Sequence, residues 1–320
     1  MTGSNRVAIS LIASVLFVAL ATVSVRADPP QNSNAKTKEK VRRVISPQTE
    51  KTPTKKNRKS DAPKKPSPDR VVLYKTTKQA KLRLNMFLPP DHRAHDSRPA
   101  IVFFFGGGWV GGSPSQFYGQ CKALADIGVV AISAEYRVRS RNKTTPKECV
   151  ADGKSAMRYV RANAAQLGID PARIAAGGGS AGGHVAAATA TVDAFDDPTD
   201  DTAVSCVPNA LVLFNPVYDN GPDGWNNKTV KEYWKQISPM HNIDSKMPPT
   251  IVFLGDSDRL IPVATAQLFQ KKQRAAGVRS DLHIYKDAAH GFFNRGEAYD
   301  DTLQKSIVFL RSLNWIASAD

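Results

Sequence analysis

One serine set among glycines is the residue of this 320-residue chain best suited to nucleophilic attack. Ser180 lies in the run GGGSAGGH, after a short apolar segment and before the alanine-rich stretch 185–190. The pattern Gly178-x-Ser180-x-Gly182 is typical of a sharp turn between a strand and a helix that exposes a serine Oγ. A Cβ at position 178 or 182 would collide with the adjoining strand or helix. We therefore predict Ser180 as a nucleophile, with a plain glycine-rich loop as the alternative.

A second glycine run could supply the backbone donors that an oxyanion needs. Gly106, Gly107 and Gly108 directly follow the apolar segment 100–105. Consecutive glycines let N–H groups turn inward, and an oxyanion is stabilised by preorganised donors more than by side chains. A flexible turn is the alternative interpretation of this run. Trp109, the next residue, is either a core aromatic or a wall of an acyl pocket.

Acids and a histidine follow the later predicted strands. Asp256 and Asp258 come directly after the apolar segment 250–254, where a carboxylate can orient an imidazole and stabilise its charged form. Either acid could instead cap the helix that is expected to begin near Pro262. His290 follows the last predicted strand, and this position distinguishes it from the other histidines. We expect those other histidines to be structural.

The hydrophobic pattern predicts a scaffold of alternating strands and helices for these side chains. Apolar residues recur at helical spacing from Val150 to Leu167 and stop at Gly168, and a later helix is expected between Pro262 and Gly277. This alternation predicts an α/β fold, with a mainly parallel sheet and helices on both faces. Ligands then bind beyond the carboxyl ends of the strands, where the candidate residues fall. Strands are expected at 82–88, 100–105, 129–134, 174–177, 210–214, 250–254 and 281–285.

The chain order of nucleophile, acid and base, here Ser180, Asp258 and His290, is that of α/β-hydrolases. Residues 70–320 resemble a serine esterase of the α/β-hydrolase superfamily, near the hormone-sensitive-lipase-like and the bacterial acetylxylan and feruloyl esterase groups. This resemblance implies the α/β-hydrolase fold with a minimal cap. Besides the serine motif, it rests on the runs Glu135-Tyr136-Arg137, Leu167-Gly168-Ile169-Asp170-Pro171 and Ser238-Pro239.

The resemblance also implies roles for particular residues. The acid of this family precedes a proline by four residues, which favours Asp258 over Asp256. The family's oxyanion donors correspond to the backbone N–H groups of Gly107, Gly108 and Ala181. No metal and no organic cofactor are implied, and the substrate is expected to be a small-molecule or carbohydrate ester.

Two departures from the lipase-like relatives concern the substrate cleft. A histidine usually begins the glycine motif and braces its loop, but Phe105 stands in that place. The large helical cap expected before the 82–88 strand is missing, which predicts a shallow, open cleft for bulky alcohols that carry short acyl groups. Trp109 and Phe292 are the residues that we expect to contact the substrate.

The net charge of +15 is unevenly distributed along the chain. Residues 28–69 hold 12 lysines and arginines against 5 acids, whereas residues 70–320 hold 30 against 24. Nearly half of the net charge lies in this 42-residue basic tail, so we expect no nucleic-acid partner despite the basic total. This tail is rich in proline and poor in apolar residues, which predicts a disordered linker. It is either a solvated spacer or a weak electrostatic contact with acidic polysaccharide or the envelope.

The first 27 residues have the pattern of a secretion signal. Arg6 precedes an uncharged run from Val7 to Val25, and Val25-Arg26-Ala27 places small residues where a signal peptidase prefers them. We therefore expect a secreted or periplasmic protein. The alternative is a membrane anchor formed by an uncleaved signal, because the run is close to the about 20 residues that span a bilayer.

The function predicted from these features is that of an exported carboxylesterase, which removes acetyl or similar short acyl groups from a carbohydrate. A serine peptidase would share the three catalytic residues. A non-catalytic carbohydrate-binding protein with a relic triad, and a polyanion-binding protein led by the basic tail, are the alternatives from other classes. Cys121, Cys149 and Cys206 form either one disulfide with one free thiol, or three buried apolar contacts.

Overall fold

The computed structural model describes residues 66–317. In this part of the chain eight strands form one sheet. They are β1 (Arg70–Thr76), β2 (Lys81–Phe87), β3 (Arg98–Phe104), β4 (Val130–Ala134), β5 (Ile169–Gly179), β6 (Ala210–Phe214), β7 (Thr250–Gly255) and β8 (Ser280–Tyr285). Their order across the sheet is β1-β2-β4-β3-β5-β6-β7-β8. Strand β2 pairs antiparallel with β1 and β4, and all other neighbours are parallel, which confirms the predicted mainly parallel sheet.

Helices cover both faces of this sheet. They are α1 (Tyr118–Ala125), α2 (Arg139–Asn142), α3 (Pro146–Ala162), α4 (Ala181–Thr191), α5 (Asn227–Val230), α6 (Trp234–Ile237), α7 (Val263–Ala275) and α8 (Gly296–Ser312). Apolar side chains of α1 and α8 join one buried cluster, and those of α3, α4 and α7 join another. The helices therefore lie on both faces, as predicted. Single 3₁₀ turns lie at Pro114–Phe117, Ala165–Leu167, Pro239–His241 and Phe292–Asn294.

Strand β3 shows why the sheet is covered on both sides. Ile101 and Phe103 belong to the cluster that contains α1 and α8, whereas Val102 and Phe104 belong to the cluster on the opposite face. Successive side chains of a strand point to opposite faces, so a strand without polar alternation must be buried twice. Burying each of these side chains stabilises the fold by about 1.5–3 kcal/mol.

The boundaries of α3 differ from the predicted 150–167. The helix begins four residues earlier, at Pro146, because Thr145 caps it and the Glu148 side chain bonds back to the Thr145 N–H. It ends at Ala162, and a separate 3₁₀ turn continues to Leu167. A capping box satisfies N–H groups that the first helical turn leaves free, so it sets the start more strongly than apolar spacing does.

Strand β1 is an element that the hydrophobic pattern does not predict. It forms one edge of the sheet, with Val71 and Leu73 51% and 49% exposed. Its pairing with β2 is irregular between Leu73 and Lys75, and Lys75 is buried in ion pairs with Asp152 and Asp197. An irregular edge strand that exposes apolar residues and buries a charged one lacks the alternation by which strands are recognised.

The three cysteines of the chain are free thiols, and all three are buried. Burial raises the pKa of the Cys121 and Cys149 thiols well above the usual value. The Cys149 thiol donates a hydrogen bond to the carbonyl oxygen of Arg137 at 3.2 Å. The predicted alternative of one disulfide is therefore wrong, and the three cysteine side chains are packed within the core.

Two segments assigned from the sequence lie outside the described residues. They are the predicted signal, 1–27, and most of the predicted linker, 28–69, of which only 66–69 are described. Within 66–317, no helix has both the length and the apolar character needed to cross a bilayer. Export and the role of the basic tail therefore stay predictions.

The carboxyl ends of four strands of the sheet carry the candidate site residues predicted from the sequence. The loop after β3 holds the glycine run, and Ser180 follows β5 directly. Asp258 lies just after β7, and His290 lies after β8. Parallel neighbours end at the same edge of a sheet, so residues far apart in sequence meet there.

Candidate active site

Ser180 occupies a strained turn between β5 and α4. Its φ of 55° lies in the left-handed region, which non-glycine residues rarely adopt. Its N–H donates to Phe214 O at 3.0 Å, which ties the turn to the end of β6. A Cβ on Gly178 would overlap Gly182 O, and a Cβ on Gly182 would overlap Phe104 O. The two glycines are therefore required by close backbone approach, for the reason that the motif predicts.

The side chains of Ser180, His290 and Asp258 form a continuous hydrogen-bonded chain. His290 Nε2 lies 2.9 Å from Ser180 Oγ, and His290 Nδ1 lies 2.7 Å from Asp258 Oδ2. These distances join residues 110 and 32 positions apart in sequence. The structure thus brings together the three residues that sequence analysis selected, in the arrangement of a nucleophile, a base and an orienting acid.

Hydrogen bonds distinguish Asp258 from Asp256. Asp258 Oδ1 accepts the N–H groups of Leu260 and Ile261 at 2.8 and 3.0 Å. Burial raises the pKa of Asp258, but the hydrogen bonds from His290 and from these two N–H groups outweigh it, and the net pKa is lowered. Asp258 is therefore held as a carboxylate beside the imidazole. Asp256 is exposed, and its side chain accepts only from the neighbouring Ser257 hydroxyl.

The glycine loop after β3 lies against the serine turn. A Cβ on Gly106 would lie 3.4 Å from Ser180 Cβ. The Gly107 carbonyl accepts the N–H groups of Val110 and Gly111, which closes the loop into a turn. Within residues 66–317, no hydrogen bond uses the N–H of Gly107 or Gly108. These two donors remain free beside the serine, which is the condition for an oxyanion hole.

Ala181, the third expected donor, is the first residue of α4. The N–H groups of the first helical turn have no partner within the helix, and the helix dipole adds partial positive charge there. Ala181 follows the nucleophile directly, so its N–H lies at the serine. The positions of all three expected donors suit a developing negative charge.

Packing braces the loop at Phe105, where relatives usually carry a histidine. The Phe105 ring is fully buried and stacks on Tyr136, with ring centroids 4.2 Å apart. The Tyr136 hydroxyl donates to Phe105 O at 2.5 Å. A Cβ on Gly112 would press against the Phe105 ring, so the far end of the loop closes onto it as well. An aromatic stack and one backbone hydrogen bond therefore support this loop.

Three polar residues that sequence reasoning missed hold the histidine loop. Asn215 Oδ1 accepts the Gly291 N–H at 3.0 Å, and Asn294 Nδ2 donates to Gly291 O at 2.8 Å. Gln116 Nε2 donates to Asn294 Oδ1 at 3.1 Å, while Gln116 Oε1 accepts the Gly106 N–H at 2.6 Å. The histidine loop and the glycine loop are thereby linked. Asn215 directly follows β6, a position at the sheet edge that could have revealed it.

A cavity of about 570 Å³ opens over Ser180. Apart from His290, none of its lining residues can carry a charge, so it suits a neutral ester group. The lining residues are Gly106, Gly107, Gly108, Gly112, Ser113, Ser115, Gln116, Ser180, Asn215, Trp225, Leu260, His290, Gly291, Phe293 and Asn294.

The aromatic residues of this cavity differ from the expected pair. Trp109 is 2% exposed and packs between His184 and Trp225, at 4.9 and 5.1 Å. Phe292 packs on Tyr285 rather than lining the cavity. Trp225 and Phe293 line it instead. Of the two interpretations of Trp109, the core aromatic is therefore correct, because the indole packs on His184 of α4.

The histidine nearest to Ser180 along the chain has a packing role. His184 is fully buried, and its Nε2 lies 2.9 Å from Ile237 O. Burial lowers the pKa of His184 to about 4, so the ring stays neutral. Among residues 66–317, no group of three or more histidine, cysteine, aspartate or glutamate side chains is placed to hold a metal ion.

Comparison with curated proteins identifies esterases as relatives. Esterase LipC of Mycobacterium tuberculosis is 30% identical over 218 residues, which cover 61% of this chain and 53% of LipC. The acetylxylan esterase of Xylanibacter ruminicola is 28% identical over 253 residues, which cover 74% of this chain and 48% of the relative. The chain spans about half the length of these curated relatives.

Solved structures include closer matches over nearly the whole of the matched chain. The apo form of esterase 2 from the planctomycete Thermogutta terrifontis is 43% identical with a TM-score of 0.77. The match covers 80% of this chain and 98% of that one. The propionate-bound form is 42% identical with a TM-score of 0.76, covering 81% and 98%. A sequence model for the alpha/beta hydrolase fold also matches residues 101–294. On its sheet, its serine turn and these matches, the chain belongs to the α/β-hydrolase fold family.

Proposed function

We propose that this protein is a serine carboxylesterase that hydrolyses short-chain acyl esters through an acyl-enzyme. The observation that carries the proposal is the hydrogen-bonded chain from Ser180 Oγ through His290 to Asp258. The free N–H groups of the glycine loop and the esterase relatives support it.

The first half of the reaction forms the acyl-enzyme. His290 Nε2 takes the Ser180 Oγ proton while Oγ bonds to the ester carbonyl carbon. The carbonyl oxygen becomes an oxyanion, which accepts hydrogen bonds from Gly107, Gly108 and Ala181. His290 then donates its proton to the departing alkoxide as the ester C–O bond breaks. Asp258 stabilises the imidazolium that exists between these two transfers.

The second half regenerates the serine. A water molecule replaces the alcohol, and His290 takes one of its protons while the oxygen attacks the acyl carbon. The same donors stabilise the second oxyanion. The proton on His290 then returns to Ser180 Oγ as the acyl C–O bond breaks, and a carboxylic acid leaves. The imidazole alternates between base and acid, which requires a fixed orientation relative to Asp258.

A short acyl group is the part of the proposal that the neighbouring structures favour. Esterase 2 of Thermogutta terrifontis was solved with propionate and with butyrate bound. In the present chain, Trp225 and Phe293 line the cavity beside Ser180. Bulky aromatic side chains at the nucleophile leave limited room for a long acyl chain, so acetyl to butyryl groups fit the proposal best.

A hydroxyl-rich alcohol is the leaving group that the cavity wall favours. Ser113, Ser115, Gln116 and Asn294 line the cavity with neutral hydroxyl and amide groups. Such groups both donate and accept hydrogen bonds, as sugar hydroxyls do. One relative is an acetylxylan esterase. We therefore extend the proposal to acyl groups carried on polysaccharide.

Export remains part of the proposal on sequence grounds alone. The uncharged run from Val7 to Val25 and the small residues around position 27 motivate it. N-terminal sequencing of protein secreted by its native cell tests it, with a new terminus at position 28 expected. Retention of the full-length chain in the membrane fraction would favour the uncleaved anchor.

Hydrolysis of p-nitrophenyl esters from acetate to laurate, beside Ser180→Ala, tests the esterase proposal. We expect turnover to fall with acyl length and to drop by about 10⁴-fold or more in the variant. Acetylated polysaccharides follow as substrates. A folded wild-type protein without serine-dependent turnover would contradict the proposal, and strong preference for long acyl chains would contradict its short-acyl part.

A further inference from the structure

A second cavity, of about 410 Å³, adjoins the glycine loop at Gly108, and Ser180 does not line it. It meets the catalytic cavity at Gly108, which lines both. The indole of Trp109 lines the second cavity and packs on Trp225, which lines the first. The full lining is Gly108, Trp109, Val110, Arg139, Thr144, Thr145, Pro146, Asn226, Lys228 and Thr229.

Two buried polar groups of this lining lack partners. Trp109 is 2% exposed and Thr144 is 4% exposed. Among the residues that the structure describes, Trp109 Nε1 and Thr144 Oγ1 make no hydrogen bond. Leaving a buried donor unsatisfied costs about 1–3 kcal/mol. Both atoms are themselves buried, so a hydrogen-bond acceptor in the cavity reaches them only if the Trp109 or Thr144 side chain turns toward it.

Two cations of the same lining also lack partners. Arg139 and Lys228 are exposed residues that line the cavity, and neither side chain forms an ion pair or hydrogen bond with any residue from 66 to 317. The lining contains no acid. The nearest acid along the chain, Glu148, accepts both the N–H and the hydroxyl of the lining residue Thr145.

The linings of the two cavities therefore differ in charge. The catalytic cavity is lined by His290 and groups that carry no charge, whereas the lining of the second contains two cations and no acid. An anion bound in this cavity would pair with both cations. The planar fork of an arginine pairs best with a carboxylate, through two parallel hydrogen bonds.

We propose that this second cavity is a carboxylate-binding subsite, which receives a carboxylate group carried by the ester substrate. The inference rests on the proposed esterase function, and it narrows the substrate to an acidic ester, such as an acylated uronic acid. The ester is held over Ser180 while the carboxylate reaches past Gly108 to Arg139 and Lys228. The substrate carboxylate is thereby bound away from the cavity in which the oxyanion forms beside Ser180.

Matched pairs of esters test the proposal on the full chain. One pair is 4-acetoxybenzoate and its methyl ester, which differ in a carboxylate on the alcohol side. The other is the mono-4-nitrophenyl ester of adipic acid and its methyl ester, which differ on the acyl side. The ratio of kcat/KM for the acidic and neutral members is measured in wild type and in Arg139→Gln/Lys228→Gln. The control is Arg93→Gln/Lys231→Gln, which removes the same charge from exposed residues outside the cavity.

We expect the acidic-to-neutral ratio of at least one pair to fall about tenfold in the cavity variant and to stay unchanged in the control. A fall of equal size in both variants would indicate long-range attraction only and would overturn the proposal. Because both members of a pair use the same triad, the ratio is independent of how fast Ser180 reacts.

A binding arm separates a carboxylate on the substrate from a free carboxylate. Thermal unfolding is followed with adipate and with benzoate, because a ligand that binds only the native state raises Tm. A rise in wild type and control that is lost in the cavity variant, with unchanged ester ratios, assigns the site to a free carboxylate and overturns the substrate part. If the cavity variant changes no ester ratio and neither acid raises Tm, the site is overturned. If no ester is hydrolysed at all, the esterase proposal fails, while the Tm arm still tests the subsite.

Discussion

The side chain of Asn215 holds the backbone of Gly291, the residue that follows His290. Asn215 Oδ1 accepts the Gly291 N–H at 3.0 Å, and Asn215 Nδ2 lies 3.4 Å from His290 Nε2. Asn215 is fully buried and has a φ of 34°. A left-handed backbone suits asparagine better than most residues. One amide at the end of β6 thus fixes the base on the neighbouring loop, without contact with Asp258.

Replacing this amide should slow the reaction more than it weakens binding. In Asn215→Ala, the His290 loop loses its anchor, and we expect kcat to fall about 10- to 100-fold with a smaller change in KM. Asn215→Asp retains an acceptor for Gly291 and places a negative charge beside the imidazole, which favours imidazolium. The acidic limb of its pH–kcat profile should therefore move to higher pH. An unshifted profile in Asn215→Asp would contradict the placement beside His290.

The two candidate acids provide a matched pair of variants. Asp258→Asn removes the charge that stabilises the imidazolium, so kcat should fall on the order of 10³- to 10⁴-fold. Asp256→Asn should keep kcat near the wild-type value, because the exposed Asp256 side chain does not contact His290. Steady-state kinetics on a short-chain p-nitrophenyl ester measures both. Similar losses in the two variants would refute the assignment of Asp258.

Phe105 should contribute to stability as well as to the loop. Phe105→Ala removes a fully buried ring that stacks on Tyr136, and we expect a loss of about 3–5 kcal/mol in the free energy of unfolding. The half-buried Phe292 serves as the control, and Phe292→Ala should cost clearly less. Urea unfolding followed by circular dichroism measures the difference. Equal costs would show that the stack does not brace the glycine loop.

The ion pair between Lys75 and Asp197 should make stability depend on pH in the acid range. Burial raises the pKa of Asp197, but hydrogen bonds from Lys75 and Thr199 outweigh it and lower the pKa from 3.8 to about 2. The folded state therefore binds this proton more weakly than the unfolded state. The stabilisation is fully present above 3.8 and is lost as the pH falls toward about 2.

Asp197→Asn tests this pH dependence. The variant should be less stable than wild type at neutral pH, and the gap should narrow as the pH falls below 3.8 toward about 2. Asp193→Asn, an exposed residue of the same loop, is the control. Urea unfolding at a series of pH values measures the gap. A gap that stays constant into the acid range would exclude the Lys75 pair as its source.

Much of the fold and of the site follows from local sequence. The apolar run of β3 must be buried on both faces, and helical spacing places α3 within a few residues. The serine turn is equally local, because Gly178 and Gly182 are within two positions of Ser180 and their missing Cβ atoms admit the close backbone contacts. Constraints between near neighbours leave a pattern in the chain that can be read directly.

Other features depend on partners that are distant in sequence. Gln116 meets Asn294 across 178 residues, and Asn215 meets Gly291 across 76. Neither hydrophobic periodicity nor motif spacing predicts which side-chain amide contacts which loop. Lys75 is a similar case. Its sequence neighbours suggest a surface lysine, whereas in the fold it is buried in ion pairs with Asp152 and Asp197. Such pairings are set by the order of strands in the sheet, which the chain does not state locally.

The sequence pattern alone predicts the alternation of strands and helices, Ser180 as the candidate nucleophile and the chain order of the candidate acid and base, because short-range sterics and strand-end positions govern these. Which aromatic residues line the cavity follows only from tertiary packing. This packing turned Trp109 into the core and brought Trp225 to the site. It also brought Arg139 and Lys228 to one cavity with Trp109 and Thr144. The burial and pairing of a side chain depend on what packs against it, and only the folded chain specifies those neighbours.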